Sequence, residues 1–278
     1  MFGRLPSISS RAAPVLMLCL GMSGAAAAAD ASPWDAGMHS AVRLIAASMR
    51  RDDARLRAGV EVRLDRGWKT YWRYPGDSGV PPRFGFARSE NVKNVTVKWP
   101  APHRFSDPGG QSIGYSERVT FPLEIEPQDQ SKPVMLRLDL DYAVCEKLCV
   151  PAEANAELAV TGNRTAQDAV LSAAEKRVPQ QRSVGEPGGL SIGTVRREDA
   201  QVVVDVIAPD GASVDLFVEG PAPDWALPLP MPVTAQPGVK RFAFALDGLP
   251  PGATPKGAML TLTATAGDAA IEVAYRLD

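Results

Sequence analysis

The stretch ARLRAGVEVRLD, residues 54–65, constrains the fold most: Leu56, Ala58, Val60, Val62 and Leu64 fall at every second position, with mostly polar residues between them. That period belongs to a half-buried β-strand and not to a helix, whose apolar positions recur about every 3.6 residues. Further strand signals are WKTYWRY (68–74), NVTVKW (94–99), VTFPLEIE (119–126), MLRLDLDYAV (135–144) and AELAV (156–160), and strand character begins near Ser40. Between them, PGDSGVPP and SDPGGQSIG supply the Gly, Pro, Asp and Ser that turns require. Short alternating strands punctuated in this way predict an all-β chain, and a β-sandwich before a barrel.

One segment breaks the pattern. In TAQDAVLSAAEKRV (165–178), Thr165 and Asp168 have the spacing of a capping box, and Val170, Leu171, Ala174 and Val178 form an apolar stripe, so a helix is expected. It stops before Pro179, and QQRSVGEPGG reads as a linker. A second β module is expected from about Leu190, with strands over 201–208, 213–219, 239–246, 258–265 and 270–277 and with Trp225 as a packing residue. The predicted division is a signal segment (1–29), a first β domain (30–162), helix and linker (163–189) and a second β-sandwich domain (190–278).

Arg4 and Arg11 flank the start of the apolar run AAPVLMLCLGM (12–22), and Ala27 and Ala29 follow as an A-x-A site. This is the form of a secretory signal peptide cleaved after Ala29, and the run is shorter than the roughly 20 residues a spanning helix needs. Cys19 follows Leu18 instead of the small residue of a lipoprotein signal, and is expected to leave with the leader. No other stretch is long and apolar enough to span, so the exported chain is expected to have no membrane span. Removing the two leader arginines takes the formal charge from −2 to −4. Its charges are mixed, without the basic stripe that nucleic acid requires.

Two cysteines remain, in DYAVCEKLCVPAEA. Leu136, Leu138, Leu140, Tyr142 and Val144 alternate with Arg137, Asp139, Asp141, Ala143 and Cys145, which places Cys145 on an outer face, near the surface. On a continued strand Cys145 and Cys149 would lie about 13 Å apart, beyond the roughly 7 Å a disulfide tolerates, so pairing requires a turn through Glu146, Lys147 and Leu148. As a staple, so short a loop would constrain the unfolded chain by only about 2 kcal/mol. A short, exposed disulfide is the kind a partner thiolate attacks, so the spacing favours exchange. A non-catalytic binding or assembly module with a stiffened loop is the rival reading. Zinc would have to recruit His39 and His103 from far up the chain, and both are expected to make ordinary polar contacts. Haem attachment needs a histidine where Val150 stands, and two close cysteines fit exchange better than protease-type catalysis. No cofactor beyond the cysteines is expected.

Three stretches in this order, GWKTYWRYPGDSGVPPRF (67–84), WPAPHRF (99–105) and YAVCEKLCVPAEA (142–154), resemble the periplasmic N-terminal domain of DsbD-type thiol:disulfide interchange proteins, especially the ScsB-like branch, over residues 34–161. The resemblance implies an immunoglobulin-like fold, so the chain is expected to be two immunoglobulin-like β-sandwiches joined by a short helix and linker. It also implies a periplasmic protein-disulfide reductase whose reversible Cys145/Cys149 pair exchanges electrons with exported thioredoxin-like partners, Cys149 forming the mixed disulfide. Residues 105–115 occupy the place of the family's cap loop. Pro108 and Gly109 stand near its shielding aromatic, leaving Phe105 and Tyr115 as candidate shields. Tyr71 and Trp72 are expected to flank the disulfide and bind the partner, although at least two of Trp68, Tyr71, Trp72 and Tyr74 should pack a core. Asp77, in PGDSG, is expected to be a turn residue near enough to the thiols to manage protons. The membrane and thioredoxin-like domains of the full family architecture are not expected beyond the second module, so the expectation is either that a separate membrane thiol transporter donates the electrons or that the chain has another use.

Overall fold

The computed structural model describes residues 1, 3, 29–50, 54–107 and 110–278. The expected leader falls almost wholly outside the described residues, as do Pro108 and Gly109. In chain order the strands are β1 (Asp35–Gly37), β2 (Ser40–Ala47), β3 (Leu56–Leu64), β4 (Lys69–Gly76), β5 (Arg83–Gly85), β6 (Val92–Val97), β7 (His103–Asp107), β8 (Gly110–Ser116), β9 (Arg118–Pro127), β10 (Val134–Cys145) and β11 (Cys149–Val160). Helix α1 (Asp168–Lys176) follows. Then come β12 (Gln180–Arg182), β13 (Ser191–Glu198), β14 (Gln201–Ile207), β15 (Val214–Glu219), β16 (Met231–Val233), β17 (Lys240–Ala245), β18 (Met259–Ala266) and β19 (Ala269–Arg276). Among the described residues no helix is long and apolar enough to cross a membrane.

The alternating apolar positions build two cores. One sheet runs β1-β2-β3-β9-β6 and another runs β11-β10-β4-β8-β7, with β5 joined to β10. Val42, Val60 and Phe121 of the first sheet meet Trp72, Ile113, Leu136 and Val144 of the second in one buried cluster. In the C-terminal part, β12-β19-β18-β15 and β13-β14-β17-β16 share a core of Ile192, Val204, Val218, Phe242, Leu262 and Val273. Trp225 packs into that core, as its sequence setting predicts. The architecture is thus mostly β, as the period-two pattern requires.

Two differences have physical causes. Strand β3 was expected to have one polar face, yet it is buried on both sides from Leu56 to Val62. Helix α1 covers the second side: Leu171 packs with Ile45 and Ala47, and a methyl on Gly59 would stand 3.0 Å from Leu171 Cδ1. Arg57 is consequently buried, and its guanidinium donates to both Glu175 carboxylate oxygens at 2.8 and 2.7 Å. The capping box is the second difference. Only half of the box forms: Thr165 N donates to Asp168 Oδ2 at 3.4 Å, but Thr165 Oγ1 donates to Ala46 O and the Asp168 carboxylate also accepts from Ser48 N and Oγ, so both residues tie the helix to the end of β2.

Burial alone would raise the Glu175 carboxyl, but hydrogen bonds from Arg57 and Arg50 override it and hold the group below its ordinary value of 4.5. A depressed carboxyl stabilises the fold above its unfolded-state pKa, and that contribution disappears as pH falls through the folded value. Glu175→Gln is therefore expected to lower stability by about 3 kcal/mol at neutral pH, the cost of stranding a buried Arg57, and to flatten the acid limb below pH 4.5. Urea titrations of both proteins at several pH values check this.

Candidate functional site

Strands β10 and β11 form a hairpin whose register runs from Val134↔Val160 to Cys145↔Cys149. The alternation in β10 fixes it, because Leu136, Leu138, Leu140, Tyr142 and Val144 must all enter the core. The turn at 146–148 then sets the two cysteines directly opposite one another, bonded as a disulfide with Cα atoms 4.2 Å apart. The two sulfurs have different surroundings. Cys149 lies on an exposed residue, whereas Cys145 is only 7% exposed. The expectation of a near-surface Cys145 is corrected here: it does sit on the outer face of its strand, but Tyr71 of β4 covers that face, forming a buried cluster with Ala143 and Cys145.

Tyr71 also reaches the other cysteine, its hydroxyl 2.9 Å from Cys149 Sγ. The backbone that follows closes over its ring. Gly79 has φ +125°, and a methyl there would stand 2.3 Å from Tyr71 Cε1, so only glycine suits this position. Strand β4 itself is seated on β10 by the Thr70↔Val144 and Lys69↔Cys145 pairs and by a hydrogen bond from Thr70 Oγ1 to Ala143 O at 2.9 Å.

The other expected site residues separate. Trp72 does not flank the disulfide: successive side chains of a strand point to opposite faces, so it enters the core with no exposed surface, its ring 5.7 Å from Phe217. Tyr115 is not a lid either. It is buried, donates to Pro100 O at 2.8 Å and packs edge-on to Phe121. Phe105 remains on the sulfur side, since it pairs with Ser112 while His103 pairs with Gly114, the partner of Tyr71. Its ring stands 5.4 Å from the ammonium of buried Lys69. The segment in the cap-loop position is the hairpin of β7 and β8, and the shielding position at Pro108 and Gly109 lies outside the described residues. Asp77 is a turn residue whose carboxylate accepts from Gln111 N at 2.8 Å and whose own N–H donates to Gln111 O. The histidines are apart: His39 stacks on Trp68 and contacts Asp65, and His103 contacts Arg177. Burial and then the Arg177 charge push His103 below the usual imidazole value.

Two residues beside the sulfurs were not singled out by sequence reasoning. Lys69 is register-paired with Cys145, a relation visible only once β4 is aligned with β10. Leu148, in the turn between the cysteines, is 79% exposed, and an apolar residue at a tight turn was the signal available for it. A groove of about 380 Å³ beside α1, lined by His103, Arg118, Val170 and Arg177 among others, includes neither sulfur nor Tyr71.

The arrangement therefore offers one exposed cysteine, a sheltered bonded neighbour and a phenol within reach of the exposed one's sulfur. Among solved structures, the crystal structure of the N-terminal periplasmic domain of ScsB from Proteus mirabilis is similar, with TM-score 0.71 and 21% identity, covering 89% of this chain and 98% of that one. That likeness is one of fold, and its coverage takes in both β modules. No curated protein matches the chain. Residues 41–161 match the family model described as thiol:disulfide interchange protein DsbD, N-terminal, so the likeness to that family lies in the first β module.

Proposed function

We propose that this is an exported, periplasmic thiol:disulfide exchange protein that passes electrons through Cys145 and Cys149 to or from thioredoxin-like partners. The observation that carries the reading is the asymmetry of the pair: Cys149 is exposed and Cys145 is sheltered under Tyr71. When reduced, the Cys149 thiolate attacks a partner disulfide, forming a mixed disulfide and releasing one partner thiolate. Cys145 then attacks Cys149 Sγ, which reforms the intramolecular bond and releases the second partner thiolate, moving two electrons in all. The reverse sequence, begun by a donor thiolate on Cys149, reloads the pair. No cofactor enters either direction.

The division at residues 162 and 190 into two immunoglobulin-like sandwiches, and supply of electrons by a separate membrane thiol transporter, belong to the same proposal. Two pairs of sheets support two sandwiches, with β12 of the expected linker already paired to β19 of the second one. Exposed Leu148 beside Cys149 supplies an apolar contact for the partner's surface. Phe105 stands over Lys69 as the remaining shield.

The test is redox equilibration of the purified chain. The pair is expected to be reduced by a thioredoxin-like dithiol and to show a potential above about −300 mV, the limit below which structural disulfides resist physiological reduction. A lower potential together with no reduction by such donors would leave only a rigidifying disulfide.

A further inference from the structure

The C-terminal β module has no cysteine, yet besides the bonds from Arg104 of β7 to Asp215, Leu216 O and Pro230 O it grips the strand that carries Tyr71. The pairing of β4 with β8 is regular to Tyr71↔Gly114, then breaks and resumes only at Gly76↔Ser112. The residues released by that break bond to the second module. The Arg73 guanidinium donates to both Glu219 oxygens at distances from 2.6 to 3.0 Å and also to Glu272, and its carbon lies 4.5 Å from the Trp72 ring centroid. Trp72 packs on Phe217, and the Tyr74 hydroxyl donates to Leu227 O. Glu272 is itself held in place by Gln181 Nε2 at 2.6 Å and by buried Thr263. After Gly76 the chain turns back, and Gly79 lies against the Tyr71 ring. The excursion clamped by the second module thus begins next to Tyr71 and ends on top of it.

We propose that the second module is a positioning element for the sulfur site: by clamping Arg73 between Glu219 and Glu272 it holds the excursion that keeps the Tyr71 hydroxyl on Cys149. Tyr71 touches the reacting sulfur; Arg73, Glu219 and Glu272 act only through it. The inference rests on the reading of Cys149 as the exchanging sulfur and adds a task for the second half of the chain. A guanidinium clamp suits that task, because a bidentate fork fixes direction as well as distance.

The experiment uses the full chain and two readouts, the equilibrium of the cysteine pair with a glutathione redox buffer and the pH dependence of alkylation of the reduced thiols. Glu219→Gln combined with Glu272→Gln is expected to shift the glutathione equilibrium constant about threefold or more, in the same direction as Tyr71→Phe. Adding Tyr71→Phe to that variant should then change little further, because the residues act through one contact. Arg73→Lys keeps the charge and loses the fork, so it provides a second variant if the double replacement does not fold. A loss of thermal stability with both redox readouts unchanged, or shifts that add in full, overturns the proposal and leaves the clamp purely structural. Failure of the exchange reading looks different: glutathione equilibrates with the pair, but no thioredoxin-like partner does.

Discussion

Cys145→Ala is expected to stall exchange as a covalent adduct. With the resolving sulfur gone, the mixed disulfide that Cys149 forms with a thioredoxin-like partner has no internal thiol to release it, so it should accumulate and appear on a non-reducing gel. Cys149→Ala should trap about tenfold less or worse, because the remaining sulfur is 7% exposed beneath Tyr71 and offers a partner little access. Both replacements should abolish turnover completely, since neither leaves a couple that can cycle two electrons. Equal trapping by the two variants would sink the assignment of Cys149, and no trapping by either would sink exchange itself. Substitution of both cysteines by serine separates the rival reading, because a module that merely binds would keep its partner.

Trp72→Ala is expected to be the most damaging replacement away from the sulfurs, costing about 3–5 kcal/mol. Trp72 has no exposed surface and is among the largest fully buried side chains. Its ring joins the first core to Phe217 of the second module, and Phe217 and Leu229 belong to the same buried cluster. Arg73 also lies over its face, a cation–π contact that disappears with the ring. Trp72→Phe should recover most of the loss, because Trp72 Nε1 is buried without a hydrogen-bond partner and its removal breaks no bond. Combining Trp72→Ala with Phe217→Ala should cost less than the sum of the separate losses, as is usual for residues in contact. Urea unfolding of the four variants measures all of these values, and a Trp72→Ala loss under about 1 kcal/mol would mean that the junction between the modules contributes little.

How much of this was legible beforehand follows from the range of the interactions involved. Alternation of apolar residues is written into adjacent positions, so β3, β4, β6, β9 and β10 and most strands of the second module lie where their periods place them. The short edge strands β12 and β16 carry too few residues to show a period. Both faces of β3 are buried because α1, more than a hundred residues later, lies on the second one. Local periodicity carries no record of such a cover.

The same division runs through the site. The sequence by itself determined the sulfur pair, its tightness, the turn that any bond between the two would require and the family whose model residues 41–161 match, because all of these reside in residue identity and spacing. Only the tertiary structure decided which cysteine is exposed, that Tyr71 and not Trp72 faces it, that Tyr115 is core, that Lys69 lies opposite Cys145, and that the second module grips the strand between them. These depend on which strands become neighbours and which face each presents. One residue of register moves a side chain from the sulfur to the core, and that register is set by contacts distributed over the whole chain.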